Sequence, residues 1–520
     1  MGTLEEDLGA GVEEVRETHI SWVFLGSDRV WKVKKPVNFG FLDFSTLSAR
    51  RSACEAEITL NRRLSPEIYL GLEKITLDAS GRHRLGGEGE AIEWAVCMRR
   101  LPDALRLDRM LHEGRLTDAH LLGIARVLAA FHESCGAGAE IASFGSVERI
   151  AENVEENFEQ TRASIHAHLS PTEAEEIERW QLRFLEERAP VFEARVRAHR
   201  VRDGHGDLRL EQIYQLEEGP CILDCIEFNE RFRYADVCAD VAFLSMDLAL
   251  NGRVDLAERF LALYAREAND FDLYPLVDFY ESYRAYVRGK IASFLAADAR
   301  APQEAREAAH QHARRCFLLA LAAERRPLLP PIVVAVGGVL ATGKSTLADA
   351  LGRLLGAPVV ETDRTRKFML GARPTEHVYE GSWQGAYDLR FTDEVYEEVY
   401  RRAGVVLDSG RPILLDASFR SAQMRSRARR LAEERGLPFF FVECTAPRAL
   451  CLERLAARER EGGSVSDGRI EIFDAFVAKW QPAEELPDGE RLRIDTSRPL
   501  EQSLAALCAS LPSWPEGLDA

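Results

Sequence analysis

The sequence has no apolar run long enough to cross a membrane and no CxxC cysteine pair. Its apolar runs stay below the roughly 18 residues that a span needs, which argues against a membrane-spanning protein. The 10 cysteines are irregularly spaced, so neither a zinc ribbon nor a CxxC redox motif is indicated. The opening MGTLEEDLGAG has no apolar core. We therefore expect no secretory signal and a cytoplasmic protein with reduced thiols.

Basic residues are scarce relative to acidic ones. The chain has 67 Lys and Arg against 85 Asp and Glu, and its formal net charge is −18. Because contacts to a phosphate backbone need a basic surface, this balance argues against a general nucleic-acid binder. At 520 residues the chain is too long for one core, so two or three domains are expected. Nothing in the sequence fixes the oligomeric state.

A proline-rich linker at 326–331 divides the chain into two parts of different pattern. Before it, a small β-rich lobe (about 1–100) is followed by a helical lobe (about 101–325), which is the order of a bilobal kinase. After it, residues 332–520 alternate strands and helices, which predicts a parallel α/β sheet. The fold expected is therefore multidomain, α+β followed by α/β. The strands predicted in the second part are Ile332–Val336, Pro358–Glu361, Ile413–Leu415, Phe439–Glu443 and Leu492–Ile494.

The second part contains the pattern G-x-x-x-x-G-K-[ST] in full, between an apolar strand and a helix start. Glycines there let backbone N–H groups surround phosphate oxygens at a positive helix end. Lys344 is expected to contact the β- and γ-phosphates, and the Ser345 hydroxyl to bind Mg²⁺. This strand–loop–helix context predicts an ATP site. Its residues are Gly338, Val339, Leu340, Ala341, Thr342, Gly343, Lys344, Ser345 and Thr346.

Acids and arginines follow at strand ends of the same sheet, where ligands bind in parallel α/β folds. Asp363 resembles the acid that contacts or activates the acceptor hydroxyl in polynucleotide-kinase-like and gluconate-kinase-like enzymes. Arg364 or Arg366 is a candidate clamp for an anionic acceptor. Asp416 stands at the position of a Walker-B acid, which is expected to hold Mg²⁺ through water. A later helix resembles a lid whose arginines stabilise the transferring phosphoryl group, followed by a glycine- and serine-rich stretch at 461–468. Its candidate arginines are Arg454 and Arg458.

The first part contains its own candidate loop, His205-Gly206-Asp207-Leu208, with Gln212 five residues after the aspartate. In the kinase pattern H-R-D-L-x-x-x-N the Asp accepts the substrate hydroxyl proton and the Asn binds metal. Asp207 is therefore the candidate catalytic base, and Gln212 takes the metal position.

The HGD form resembles the aminoglycoside phosphotransferase and choline-kinase-like family. That resemblance implies a metal-binding carboxylate in the following hairpin, Glu227 or as second candidate Asp224. It also implies that trailing acids, Asp236 and Asp240, support the loop.

A strand upstream resembles the one whose lysine contacts the α- and β-phosphates in kinases. Lys32 is preferred for this role, with Lys34 on the same strand face as the alternative. Glu57 is the expected acidic partner on the next helix, and Glu55 remains open. The hinge that would hold adenine is expected near residues 96–101.

Taken together, the chain resembles bacterial proteins described as bifunctional aminoglycoside phosphotransferase/ATP-binding proteins. The segments at 19–25 and 32–47, the HGDL loop and the P-loop occur in that family's order. The resemblance implies two phosphotransferase-type modules that use ATP and Mg²⁺ on a small hydroxylated phosphate acceptor. Two alternatives stay open: the first part is a nucleotide or metabolite sensor that regulates the second, or the second is an NTPase coupled to a partner protein.

Overall fold

A computed structural model describes residues 3–9, 11–38, 40, 42–322, 329–379, 383–461 and 465–512. The expected linker lies partly outside these ranges, as do residues 462–464 of the glycine- and serine-rich stretch. The chain divides into two compact units, here called the N-terminal unit and the P-loop unit. The N-terminal unit is Met1–Asp247 with Phe279–Leu321, and the P-loop unit is Leu248–Asp278 with Ala322–Ala520. Residues 248–278, assigned from the sequence to the first domain, thus group with the second.

The N-terminal unit begins with a six-stranded antiparallel sheet in the order β1-β2-β3-β6-β4-β5. Its strands are β1 Glu14–Glu17, β2 Ser21–Leu25, β3 Arg29–Lys34, β4 Tyr69–Leu77, β5 His83–Leu85 and β6 Glu93–Arg99. Strand β3 alternates apolar and basic residues, which places Lys32 and Lys34 on one face. Both lysines of that face contact Glu57 of the helix described next.

Helix α1 (Leu4–Gly9) precedes the sheet, and helix α2 (Leu47–Asn61) follows β3. The Thr46 side chain accepts a hydrogen bond from the Ala49 N–H and so caps the start of α2. The buried face of α2 includes Cys54, Glu57 and Ile58 and packs on β4 and β6. Glu57 is therefore carried into the interior by the apolar residues around it.

The remaining chain to residue 322 is mainly helical. Its helices are α3 Leu107–His112, α4 Asp118–Ser134, α5 Ala139–Ser143, α6 Val147–Thr161, α7 Pro171–Glu187, α8 Ala189–Arg197, α9 Val237–Leu250, α10 Val254–Glu267, α11 Tyr274–Ala297 and α12 Gln303–Ala322. Two short antiparallel pairs flank the HGDL loop: β7 with β10, and β8 with β9. They are β7 Val201–Asp203, β8 Ile213–Leu216, β9 Gly219–Ile222 and β10 Tyr234–Asp236. None of the described helices reaches the length and hydropathy needed to cross a bilayer.

The P-loop unit has a five-stranded parallel sheet in the order β12-β13-β11-β14-β15. Its strands are β11 Val333–Gly337, β12 Val359–Glu361, β13 Ile413–Asp416, β14 Phe439–Thr445 and β15 Arg491–Asp495. Its further helices are α13 Lys344–Leu354, α14 Thr362–Met369, α15 Leu389–Asp408, α16 Ala422–Glu433, α17 Arg448–Glu461, α18 Ile470–Ala478 and α19 Leu500–Cys508. The fold class expected from the sequence is confirmed, and all five predicted strands form.

The core of this sheet explains where ligands can bind. The central strand β11 is buried at every residue, and Val334, Val336 and Leu414 pack against Leu347 and Leu351 of helix α13. Because all five strands run parallel, their carboxyl ends lie at one edge. The loop after β11 and the acids after β12 and β13 therefore meet there.

Candidate nucleotide and phosphotransfer sites

The loop from Gly338 to Gly343 joins the central strand to the first turn of α13. Gly338 and Gly343 have φ of +147° and +82°. A Cβ at Gly338 would lie 2.5 Å from the Cys444 carbonyl oxygen, so only glycine fits there. The Lys344 ammonium donates to the Val339 carbonyl at 2.8 Å, which keeps it over the loop. This arrangement provides backbone N–H groups, a helix N-terminus and a cation for phosphate oxygens.

Asp416, the last residue of β13, lies beside the start of α13. It pairs in register with Val336 of β11, and only 6% of it is exposed. Burial raises the pKa of Asp416, while Lys344 and a hydrogen bond from the Ser345 side chain oppose that rise. In the described part of the chain no group of three or more His, Cys, Asp or Glu side chains could hold a metal by itself. The hydroxyl and carboxylate oxygens here fit Mg²⁺ if nucleotide oxygens complete its shell.

One cleft of about 340 Å³ collects most of the residues predicted for this unit. It is lined by Lys344, Ser345, Asp363, Asp416 and Arg458, together with Arg364 and Arg366. It also includes side chains that the sequence did not single out, namely Glu361, Trp383, Tyr387, Tyr396 and Arg420. Phosphate-binding, carboxylate and cationic groups thus share one cavity.

Among the carboxylates that line the cleft, Glu361 has a markedly raised pKa. Burial, with Asp416 and Asp363 nearby, raises its pKa to about 7, although Arg364 and Arg266 oppose the rise. Arg364 lies 3.3 Å from Glu361 and 3.3 Å from Glu267, so two acids already neutralise it. In the sequence, Glu361 was indicated only by its position at the end of a predicted strand.

Glu361→Gln should stabilise the ligand-free protein above pH 7. The folded protein holds the Glu361 proton up to about pH 7, whereas the ordinary pKa is 4.5. Wild type therefore loses folding free energy as pH rises between these values, and the amide does not. We expect the variant to be more stable by about 1–3 kcal/mol at pH 8, with no such difference below pH 4.5.

Urea unfolding of both proteins at pH 4.5 and pH 8 measures this difference. Glu394→Gln, at a side chain that is 52% exposed, is the matched control. Equal pH profiles for Glu361→Gln and wild type would show that Glu361 ionises normally in the folded protein.

The two candidate lid arginines on α17 occupy different places. Arg458 lines the cleft. Arg454 donates to the carbonyl of Ala341 at 3.3 Å and to that of Thr496 at 2.7 Å. Arg454 therefore braces the backbone of the phosphate loop, whereas Arg458 is the one that lines the cleft.

In the N-terminal unit both candidate lysines contact the buried Glu57. Lys32 lies 3.0 Å and Lys34 2.5 Å from its two oxygens. Burial lowers the pKa of Lys32, but Asp224 and Glu57 outweigh that effect and hold it well above its ordinary value. Glu55, the alternative partner, instead pairs with Arg51 on the exposed face of α2.

The two candidate metal acids differ in their surroundings. Glu227 is buried and paired with Lys34, and burial raises its pKa. Asp224 contacts Lys32 at 2.5 Å, yet 47% of its side chain is exposed. It has φ of +65°, a conformation that a non-glycine residue adopts at a cost and that is common at functional sites. The exposed carboxylate of the pair is thus the second candidate of the sequence analysis.

Asp240 supports the HGDL loop directly. Its carboxylate accepts from the backbone N–H of His205 at 2.7 Å and of Gly206 at 2.8 Å. Asp236 instead forms a bidentate pair with Arg195 at 2.8 and 2.7 Å and accepts from the Cys238 N–H. Of the two trailing acids, Asp240 contacts the loop backbone and Asp236 ties two neighbouring elements together.

Asp207 is held by two side chains of its own loop. Arg209, not predicted from the sequence, donates to both carboxylate oxygens at 3.0 and 2.9 Å, and the Gln212 amide donates at 2.9 Å. Burial would raise the pKa of Asp207, but Arg209 holds it below its ordinary value. The Gln212 Oε1 atom is buried and accepts no hydrogen bond. A carbonyl oxygen left without a partner fits the metal position expected for it.

Comparison with known proteins adds to this geometry. Residues 333–483 match the family described as an AAA domain. Over 494 residues the chain is 35% identical to an uncharacterized protein of Mycobacterium tuberculosis strain H37Rv, and the match covers 94% of each. Aminoglycoside 2'-phosphotransferase-IIIa, solved as its GDP complex, is 15% identical with a TM-score of 0.36, covering 59% of this chain and 93% of that one. A gluconokinase from Sinorhizobium meliloti 1021 is 19% identical with a TM-score of 0.25, covering 36% and 93%.

The two units define a class: a kinase-like phosphotransferase fold joined to a P-loop kinase-like fold, an architecture that indicates nucleotide-binding phosphotransfer. The chain belongs to the family of the mycobacterial protein. This is the fused aminoglycoside phosphotransferase/ATP-binding family that its sequence resembles.

Proposed function

We propose that the P-loop unit transfers the γ-phosphate of ATP to a small hydroxylated acceptor. The observation that carries this proposal is the shared cleft, in which Asp363 lies with Lys344, Ser345 and Asp416. A carboxylate beside a phosphate site can orient an alcohol and accept its proton, a contribution of about 10²–10⁴-fold. The cavity volume suits a small acceptor rather than a macromolecule.

The roles in this unit follow from position. Lys344 and the loop N–H groups bind the β- and γ-phosphates, Arg458 faces the transferring group, and Asp363 receives the hydroxyl proton. Ser345 and Asp416 would hold Mg²⁺, which when bound neutralises charge on the phosphate oxygens. Arg454 keeps the loop in shape.

In the N-terminal unit we propose a second nucleotide site, with Lys32 on the α- and β-phosphates and Glu57 holding that lysine. Asp224 and Gln212 would hold the metal ion, and Asp207 is the candidate base. A regulatory alternative is favoured by one observation: Arg209 and Gln212 occupy both oxygens of Asp207. A base in that state must be released before it can accept a proton.

The test for the P-loop unit is transfer of labelled γ-phosphate to compounds of a metabolite extract, with the full-length protein. Asp363→Asn should lower transfer by about 10²–10⁴-fold because the amide cannot accept the proton. Asp488→Asn, at an exposed position of the same unit, is the matched control. Robust ATP hydrolysis without transfer to any compound would replace this proposal with an NTPase that works on a partner protein.

A further inference from the structure

Two arginines in the P-loop cleft, Arg366 and Arg420, each lie over an aromatic ring. The Arg366 guanidinium is 4.6 Å from the centre of the Tyr387 ring, and that of Arg420 is 4.3 Å from the Trp383 ring. Stacking uses the face of a guanidinium and leaves its in-plane N–H groups available. Those edges are the groups that bind planar or tetrahedral oxyanions in a bidentate manner.

Neither arginine is neutralised within the part of the chain that the structure describes. No carboxylate lies within ion-pair distance of either one there. Arg366 is 5% exposed, it donates to the Ala386 carbonyl, and its Nε–H is buried without a hydrogen-bond partner. Burial lowers the pKa of Arg420, and the charge of Arg366 lowers it further. A buried and a half-buried charge of the same sign, with an unmet donor on the buried one, are costly unless an anion joins them.

Two nearby acids of the cleft, Asp467 and Glu361, are already engaged. Asp467 accepts from the Tyr387 hydroxyl at 2.6 Å and lies 3.4 Å from Lys367 and 3.1 Å from His377. Glu361 is paired with Arg364. Asp363 lines the same cleft as Arg366 and Arg420. The arginine pair and the candidate base thus share one cavity.

We infer that the acceptor is a small hydroxylated oxyanion whose charged group binds Arg366 and Arg420 while its hydroxyl faces Asp363. The charged group is a carboxylate, a phosphate ester or a sulfate ester. Arg364, the other candidate clamp from the sequence, differs from this pair in lying 3.3 Å from both Glu361 and Glu267. In the transfer step the acceptor oxygen forms a bond to the γ-phosphorus. The bond between the γ-phosphorus and the oxygen that leaves with ADP breaks, and the hydroxyl proton passes to Asp363. This inference rests on the proposed function of the unit.

The test begins by separating a metabolite extract on an anion-exchange resin into retained and unretained pools. Each pool is incubated with the full-length protein, Mg²⁺ and γ-labelled ATP. We expect labelled product from the retained pool alone. Treating that pool with phosphatase or sulfatase before the assay identifies an ester by loss of labelling, whereas a carboxylate acceptor survives both treatments.

With the acceptor purified, Arg420→Gln and Arg366→Gln should raise its KM at least tenfold and change kcat less, because each removes an anion contact far from the transferred group. Arg353→Gln, at an exposed position on α13, is the matched control and should match wild type. Since Arg366 is buried, thermal unfolding of each variant checks folding, and the half-buried Arg420 carries the test if Arg366→Gln unfolds.

The outcomes distinguish failure of the oxyanion inference from failure of the proposed phosphotransfer by the P-loop unit. Labelling of the unretained pool that Lys344→Ala abolishes, or an unchanged KM in Arg420→Gln, overturns the oxyanion inference and leaves the phosphotransfer proposal standing. Hydrolysis that depends on Lys344, with transfer to neither pool, removes both.

Discussion

Lys344→Ala is expected to remove one of two equivalents of ATP bound per chain and to lower transfer by the P-loop unit about 10³-fold. The lost ammonium is the cation held over the phosphate loop by the Val339 carbonyl. Without it, charge that develops on the γ-phosphate is no longer stabilised, and a 10³-fold loss corresponds to about 4 kcal/mol. Calorimetry with ATP and Mg²⁺ measures the stoichiometry, and labelled transfer measures the rate.

Two further variants make this experiment specific. Lys479→Ala removes an exposed lysine from the same unit and should bind ATP as wild type does. Asp224→Asn should instead remove the ATP equivalent bound by the N-terminal unit and leave the one at the P-loop. The amide keeps the left-handed backbone but loses the charge proposed to hold metal in that unit. One ATP equivalent in wild type, abolished by Lys344→Ala alone, would contradict a second nucleotide site.

The P-loop unit was predictable wherever local sequence determines structure. Five apolar strands, the glycine loop and the acid ending β13 are each encoded within a few residues. Arg420, Trp383 and Tyr387 had no such signal, because they come from two separate segments that meet only when the cleft forms. Arg364 and Arg366 could not be ranked from the sequence either, since the difference lies in Glu267, a residue from α10 nearly 100 positions earlier.

In the N-terminal unit, too, the sequence located the candidate site residues but did not show which of them would be buried and which exposed. The motif located Asp207 and Gln212, but spacing could not tell that Glu227 would be buried against Lys34 while Asp224 stays exposed. That choice depends on a left-handed backbone at Asp224, which a sequence window does not reveal for a non-glycine residue. The trailing acids likewise looked equivalent until Arg195, from α8, was seen to engage Asp236. Contacts between residues far apart in sequence thus distinguish the alternative site residues that local sequence patterns could not.

Asp240→Ala should destabilise the HGDL loop more than any other single change considered in the N-terminal unit. Asp240 is 4% exposed and accepts from two buried N–H groups, while His132 lies 3.4 Å away. Burial would raise the pKa of Asp240, but His132 and the loop N–H groups hold it below its ordinary value. Alanine leaves both donors without a partner, at about 1–3 kcal/mol each, so a loss of about 3–5 kcal/mol is expected.

Hydrogen exchange at the amides of His205 and Gly206 measures this effect where it arises. A loss of about 3–5 kcal/mol would speed their exchange roughly 10²- to 4 × 10³-fold, since each tenfold change corresponds to about 1.4 kcal/mol. Asp240→Asn keeps one acceptor oxygen and should fall between alanine and wild type, whereas Asp28→Ala, at a side chain that is 82% exposed, should change nothing. Unchanged exchange in Asp240→Ala would mean that the loop keeps its shape without the carboxylate, and the position of Asp207 would then need a different explanation.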